Sequence, residues 1–266
     1  MEKQNITELQ LELTTHCNSN CKMCVRDQLK RPLGFIDLNF AKKVIDDGYD
    51  LGARLLKAQW FGESLMSKDW MDITKYAKEK GMKIMLITNG SLMTDEYINH
   101  TIKYIDKVIF SIDHQEDYIY EEIRRGLSFE NVICNLKTLY KERNLSESKT
   151  KIIVSAVRNA DLIDEDFKKF MLEFSDQVII NDDCITIKWD KKDRLINCRN
   201  NVNSRIVISW DGKVYLCCHD WLGNHLIGDI KRDSMKDIWN GIIRKQYLNN
   251  LKNLDLCKKC MQSLEQ

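Results

Sequence analysis

The chain has 266 residues, 43% hydrophobic and 30% charged, which suits a globular protein with one large domain or one domain plus an appendage. Lys and Arg total 41 against 40 Asp and Glu, so net charge gives no case for a nucleic-acid partner or an anionic membrane. The N-terminal MEKQNITELQ lacks the apolar core of a signal peptide, and no apolar run reaches the roughly 18 residues that would span a bilayer. A cytoplasmic protein is expected, with no nucleic acid and no membrane as partner.

Short β-rich runs alternate with amphipathic stretches. ELQLELT (8–14) alternates as a strand, and LNFAKKVIDDGYDLG has helical spacing. RLLKAQWF (54–61) reads as a strand, and WMDITKYAKEKG as a helix closed by Gly81. KIMLITNG (83–90) and KVIFSID (107–113) are strands flanking the helix DEYINHTIKYI. Residues 116–142 read as helical with an interruption near Gly126. KIIVSAV (151–157) and QVIIND (177–182) are strands around the helix DEDFKKFMLEF. About six β/α units in series predict an α/β fold with a parallel sheet, a partial (β/α)6 barrel over residues 1–190. Chemistry in such folds gathers at the C-terminal strand ends. Here these are 14–24, 60–64, 88–90, 111–114, 157–159 and 181–183.

The pattern changes beyond residue 190. RIVISWDGKVYLCC predicts two strands around Asp211-Gly212. SMKDIWNGIIRKQYLNNLKNL predicts a helix with Ser234 as N-cap, and CKKC follows. Residues 191–266 are therefore expected to form a small second domain of hairpin plus helix.

Ten cysteines need an explanation, and their spacing suits metal binding better than disulfides in a reducing compartment. HCNSNCKMC (16–24) places Cys17, Cys21 and Cys24 in the loop after the first strand, with no fourth cysteine nearby. A closed structural metal site wants four ligands. Thiolates from one short loop suit an iron–sulfur cluster. The alternative is a zinc knuckle completed by His16 or a distant ligand.

The Cys-x3-Cys-x2-Cys spacing resembles the radical S-adenosylmethionine (SAM) superfamily. FGES (61–64) resembles its Gly-Glu element after strand two, with Ser64 where proline is usual. TNG (88–90) and SID (111–113) fall where the family has polar residues near SAM. Met23 takes a position that is often aromatic in the motif. The resemblance implies that Cys17, Cys21 and Cys24 hold three irons of a 4Fe–4S cluster whose open iron chelates SAM. Gly62, Glu63, Ser64, Asn89, Ser111 and Asp113 are the implied SAM-binding positions. Arg124 and Arg125 read either as exposed helix arginines or as a partner for the SAM carboxylate. Reduction by a flavodoxin or ferredoxin would cleave SAM to a 5′-deoxyadenosyl radical, which abstracts hydrogen from an unactivated C–H bond.

Cys198, Gly212, Cys217 and Cys257-x2-Cys260 resemble the C-terminal auxiliary-cluster domains of that superfamily, the SPASM and shorter twitch types. The chain ends six residues after CKKC, so the twitch type is expected. It implies one auxiliary 4Fe–4S cluster on Cys198, Cys217, Cys257 and Cys260. On spacing alone, four thiolates fit zinc equally. Of the remaining cysteines, Cys134 is expected in the core and Cys184 has no clear role. Cys218 should face away from its neighbour Cys217, toward the barrel mouth. There it is either a small buried residue or a hydrogen-atom donor.

Within the superfamily, GES, IGDI, DIWNG and CKKC resemble the 2-deoxy-scyllo-inosamine dehydrogenase type. That likeness implies oxidation of a secondary alcohol of a small polar molecule, with the auxiliary cluster taking the second electron. A base is then needed near the strand ends. Arg158, Lys188, Asp190, His219 and Asp220 are candidates, with Arg158 favoured for substrate binding and His219–Asp220 as a pair near the auxiliary cluster. The other reading is a peptide-modifying epimerase or cross-linking enzyme, in which Cys218 would donate hydrogen. Such enzymes often carry an added peptide-recognition domain, for which this chain has no room before residue 8.

Overall fold

Leu9 and Leu11 leave the first strand, β1 (Glu8–Leu11), on one side, and Glu8 and Gln10 leave it on the other. This alternation organises the molecule. Leu9 is fully buried and meets Gly48 on the first helix, α1 (Leu38–Asp50), where a Cβ would sit 3.1 Å from its Cδ2. The computed structural model describes residues 6–158, 164–181 and 202–257.

Five further parallel strands follow in chain order: β2 (Leu55–Lys57), β3 (Lys83–Thr88), β4 (Lys107–Ser111), β5 (Lys151–Val157) and β6 (Gln177–Asn181). Each pairs with its predecessor. The connecting helices are α2 (Trp70–Glu79), α3 (Asp95–Tyr104), α4 (Asp117–Ile123), α5 (Phe129–Leu145) and α6 (Asp164–Met171). Side-chain caps start several of them. Asp37 accepts from the Phe40 amide, Thr94 from Tyr97 and Ser128 from Asn131. The expected break near Gly126 is the gap between α4 and α5.

One face of the parallel strands is sealed: Leu56, Ile84, Leu86, Val108, Phe110, Ile152 and Val154 are fully buried. Of the in-register residues between them, Lys57, Met85, Ile87, Ile109, Ser111 and Ser155 are only half-buried, while Ile153 is buried. In a closed barrel the inner positions pack into a solid core. Here the inner face lines an accessible lumen, as a partial barrel requires.

The C-terminal region continues this sheet. β7 (Arg205–Ile208) pairs parallel with β1, β8 (Lys213–Tyr215) pairs antiparallel with β7, and β9 (Leu226–Asp229) pairs with β8 through an irregularity at Val214/Tyr215. The strand order is β6-β5-β4-β3-β2-β1-β7-β8-β9. The hairpin around Asp211-Gly212 is as expected, but β9 was not foreseen. The single C-terminal helix is two, α7 (Met235–Asn240) and α8 (Ile242–Asn249). Extended backbone at Gly241 (φ −67°, ψ 160°) separates them, and Ser234 caps the first through the Asp237 amide. Cys134, expected in the core, is exposed on α5. No helix among the described residues is long and apolar enough to cross a membrane.

Candidate active site

The loop carrying Cys17, Cys21 and Cys24 is fixed by its backbone. Asn20 and Lys22 amides donate to the carbonyls of Arg125 and Ile123 (both 2.9 Å), at the C-terminal end of α4. Ser19 Oγ donates to the Arg125 carbonyl and lies 3.0 Å from Cys21 Sγ. Asn18 bonds both Asn89 (3.0 Å) and Ser91 (2.8 Å), which ties the loop to the end of β3. Most of the bonds that set its position come from the backbone and from Asn18, with Cys21 Sγ adding its contact to Ser19.

Glu63 does similar work after β2. It is buried, and its carboxylate accepts from Leu65 N (3.2 Å), Thr88 Oγ1 (2.9 Å) and Asn89 N (2.7 Å). Burial raises its pKa against those hydrogen bonds. Its own amide donates to the His16 carbonyl at 2.8 Å. Gly62 sits at φ +78°, where a Cβ would lie 2.4 Å from the Thr14 carbonyl oxygen and 2.7 Å from that of His16. Ser64 Oγ donates to the Ala58 carbonyl at 2.6 Å. The FGES and TNG segments are therefore joined to each other and to the cysteine loop.

Asp113, after β4, is fully buried. One carboxylate oxygen accepts from Val157 N (2.7 Å) and the other from Arg124 Nε (2.6 Å). Arg124 Nη1 lies 3.8 Å from Cys21 Sγ. The helix-surface reading of Arg124 is thus corrected: its side chain is 12% exposed and turned to the cysteine loop, while Arg125 is exposed. Ser111 is half-buried on the lumen face of β4.

These residues fit an anionic iron–sulfur cluster. A buried guanidinium stands beside one thiol, and the buried Tyr120 hydroxyl on α4 has no hydrogen-bond partner. Burial pushes the Cys17 thiol up to about 11 and raises Cys24 as well, so iron must displace protons to bind there. Among the described residues no three Cys, His, Asp or Glu side chains close around a point as for a single ion. A four-iron cube holds its thiolates farther apart than one ion does.

Of the auxiliary set, Cys217 is buried after β8 and Cys257 is half-buried; Cys198 and Cys260 lie outside the described residues, as do Cys184, Lys188 and Asp190. Cys218 has the lumen-side neighbours Trp60, Val207 and Tyr215. Trp60 Nε1 donates to its carbonyl at 2.7 Å. Asp220 does not pair with His219. It accepts from the Asn224 (3.1 Å) and His225 (2.7 Å) amides, with His225 Nδ1 3.3 Å away. This is loop-holding geometry. The His219 amide points to Cys217 Sγ at 3.5 Å. Arg158 follows β5 with an exposed side chain, its amide on the Asn181 carbonyl.

Sequence reading missed the lumen's own charges. Glu12, one step past β1, is fully buried and paired with Arg31. It also accepts from the amides of Phe61 (3.3 Å) and Trp210 (3.4 Å). Arg31 lies 4.4 Å over the Trp60 ring. The signal was present in ELQLELT, where Glu8, Gln10, Glu12 and Thr14 alternate with leucines on a strand destined to be covered on both faces. Burial pushes the Glu12 carboxyl up to about 7 against the pull of Arg31. An acid that binds its proton more tightly folded than unfolded loses stability as pH rises between its two pKa values. The stability difference between wild type and Glu12→Gln should therefore shift toward the variant between about pH 4.5 and about pH 7, read from urea midpoints. A flat difference contradicts the buried-acid assignment.

These features suit an anionic iron–sulfur cluster held at the C-terminal strand ends of the barrel. The chain belongs to the Radical SAM superfamily, whose family model matches residues 11–170. The SPASM model, an iron-sulfur cluster-binding domain, matches residues 198–261. SAM, a 4Fe–4S cluster and an auxiliary iron–sulfur centre are thus the cofactors of these two regions, and the zinc alternatives fall. Over 109 residues the chain is 32% identical to a tungsten-containing aldehyde ferredoxin oxidoreductase cofactor-modifying protein of Pyrococcus furiosus, covering 40% of this chain and 30% of that one. The matched segments span 29–38% of the length of three curated relatives. Among solved structures, Streptococcus suis SuiB bound to S-adenosylmethionine superposes with TM-score 0.70 at 13% identity, over 96% of this chain and 72% of SuiB. BtrN in complex with AdoMet and 2-DOIA gives TM-score 0.63 at 18% identity, over 95% and 92%. These structures share the fold.

Proposed function

We propose that the protein oxidises a secondary alcohol of a small polar substrate, a sugar or cyclitol, to a ketone. Cys17, Cys21 and Cys24 would hold the SAM-binding cluster; Cys198, Cys217, Cys257 and Cys260 would hold one auxiliary cluster, the twitch arrangement. When bound, the cluster and SAM would supply hydrogen-atom abstraction from the carbinol carbon, and the auxiliary cluster would supply the acceptor for the second electron. Gly62, Glu63, Ser64, Asn89, Ser111, Asp113 and Arg124 are the residues proposed to shape the SAM pocket. Glu12 is the lumen acid with proton affinity near neutrality, suited to receive the hydroxyl proton. Arg158 is kept for substrate binding. Asp220 acts by holding the 220–225 loop, and His219 meets Cys217 through its backbone amide.

The observation that carries this reading is the bond from Trp60 Nε1 to the Cys218 carbonyl. It joins the strand-two loop of the SAM side to the cysteine pair of the auxiliary side across one lumen. A substrate there would lie between a hydrogen-abstracting site and an electron acceptor. Anaerobic reconstitution, iron and sulfide counting, and assay of 5′-deoxyadenosine with candidate polyols test it. Two clusters require about eight irons per chain. Zinc in place of iron, or loaded protein that never cleaves SAM, overturns it.

A peptide epimerase is the second reading, favoured by the lumen-side setting of Cys218. SuiB has also been solved with its precursor peptide SuiA. Cys218→Ala separates the two. An epimerase loses product formation and, in wild type, incorporates solvent deuterium. A dehydrogenase keeps most of its turnover and incorporates none.

A further inference from the structure

The C-terminal end of α4 seats against the cysteine loop. Its Ile123 carbonyl and that of Arg125 take the Lys22 and Asn20 amides, and a Cβ on Gly126 would lie 3.3 Å from the Asn18 carbonyl oxygen. Tyr120 stands one turn before Arg124, whose amide donates to its carbonyl at 2.7 Å. Residues four apart on a helix share a face. Arg124 uses that face to reach Cys21, with Nη1 3.8 Å from Sγ. Tyr120 is fully buried, and its hydroxyl has no hydrogen-bond partner among the described residues. Burial holds the proton on that hydroxyl, and the charged groups acting on it include Arg124, Asp113 and Cys21. The hydroxyl is thus an idle donor on the side of the helix that faces the cysteine loop.

A buried hydroxyl without a partner is costly, and a buried tyrosine ordinarily has one. The polar groups nearest the loop already have other bonds. Asp113 accepts from Val157 N and Arg124 Nε, and Ser19 Oγ donates to the Arg125 carbonyl. We propose that the Tyr120 hydroxyl donates its hydrogen bond to a sulfur of the cluster held by Cys17, Cys21 and Cys24, on the Cys21 side, and so makes that cluster easier to reduce. Hydrogen bonds to the sulfurs are among the levers that set a cluster's potential. The reduced cluster carries one more negative charge than the oxidised one, so a donor holds the reduced form more strongly. Arg124 brings a full charge to the same thiol, and Tyr120 adds a directed neutral donor. The assignment rests on the reading of the cysteine loop as the cluster site.

The test is a potential, read without turnover. The full chain, loaded with iron and sulfide under anaerobic conditions, is titrated at poised potentials in the absence of SAM, and each reduced cluster is followed by electron paramagnetic resonance. The SAM-side cluster is the one whose signal changes when SAM is then added, and the auxiliary cluster serves as internal reference. Tyr120→Phe removes the hydroxyl and keeps the ring that packs on Phe129, 5.4 Å away. At a fixed potential its ratio of reduced to oxidised SAM-side cluster should fall about fivefold, the size of one net hydrogen bond. For a one-electron couple that is a potential lower by about 40 mV. The auxiliary potential should stay where it is. A second variant carries 3-fluorotyrosine at position 120. Its hydroxyl is more acidic and donates more strongly, so the SAM-side potential should move the other way. It supplies the test where Tyr120→Phe loads iron poorly.

Three results overturn the proposal: no shift of the SAM-side potential in either variant, equal shifts of both clusters, or a shift that appears only once SAM is present. The first leaves the hydroxyl without a bond to the cluster. The second makes Tyr120 a packing residue whose loss disturbs the whole protein. The third makes SAM the acceptor in place of a cluster sulfur. Iron counting on wild type reports separately on the cluster reading. Wild type that loads both clusters and shows no dependence on Tyr120 removes this assignment alone, and wild type that never fills the cysteine loop removes the reading beneath it.

Discussion

Replacing Cys17, Cys21 and Cys24 together by alanine should lower the iron content from about eight to about four per chain and take 5′-deoxyadenosine formation below detection. Both effects are large because the three thiols are proposed as the complete protein ligand set of one cluster. Removing a small side chain from an exposed or half-buried loop costs little packing, within about 1 kcal/mol. Cys24 is exposed, and Cys17 and Cys21 are half-buried. The loop is held instead by the Asn20 and Lys22 amides and by Asn18. The variant should therefore fold with a thermal midpoint within a few degrees of wild type. It should keep its auxiliary iron, since Cys217 and Cys257 lie far along the chain, after β8 and after α8. Iron retained in full, measured on protein that has kept its fold, would show that these thiols hold no cluster.

Much of this site was legible because its parts are local in sequence. Strand-end motifs at β/α spacing announce where they will meet: the cysteine loop, FGES and TNG converge through hydrogen bonds among Asn18, Glu63, Thr88 and Asn89, and SID joins them through Arg124, which pairs with Asp113 and reaches Cys21 Sγ. The partial barrel was legible for the same reason, since each β/α unit repeats one pattern. What could not be read depended on pairings distant along the chain. Arg124 looked like a helix-surface arginine until α4 was seen to end against the cysteine loop. The Glu8–Arg205 contact spans 197 residues and exists only because β7 adds parallel to β1. Asp220 beside His219 suggested a catalytic pair, but the backbone amides of residues 224 and 225 claim its carboxylate. β9 was missed because LIGD is a four-residue run with one glycine, too short to show a period.

The second large effect is expected at Gly62. Among the described glycines with left-handed backbones, Gly62 at φ +78° and Gly81 at φ +94° make an informative pair. Alanine at either position carries the same kind of conformational penalty, about 1–2 kcal/mol. Their surroundings differ. Beyond Gly81 the nearest atom to a new Cβ is the Tyr49 hydroxyl at 3.7 Å, an ordinary contact. At Gly62 the Cβ would meet two backbone carbonyl oxygens of the Thr14–His16 segment, at 2.4 and 2.7 Å. Backbone cannot swing aside as a side-chain tip can. The 61–64 turn or the segment leading into Cys17 must move, and Glu63 would lose its grip on the Asn89 amide, now 2.7 Å long. A misplacement of about 1 Å in a binding loop costs on the order of a hundredfold in rate. Gly62→Ala should therefore cut 5′-deoxyadenosine formation by about that factor or more, with SAM affinity falling alongside in equilibrium dialysis. Gly81→Ala, whose strain is of the same kind, should lose stability to a similar degree and leave SAM cleavage near wild type. Equal activity losses in the two variants would mean that global destabilisation acts, and that the close approach of the strand-two turn to the cysteine loop plays no part in holding SAM.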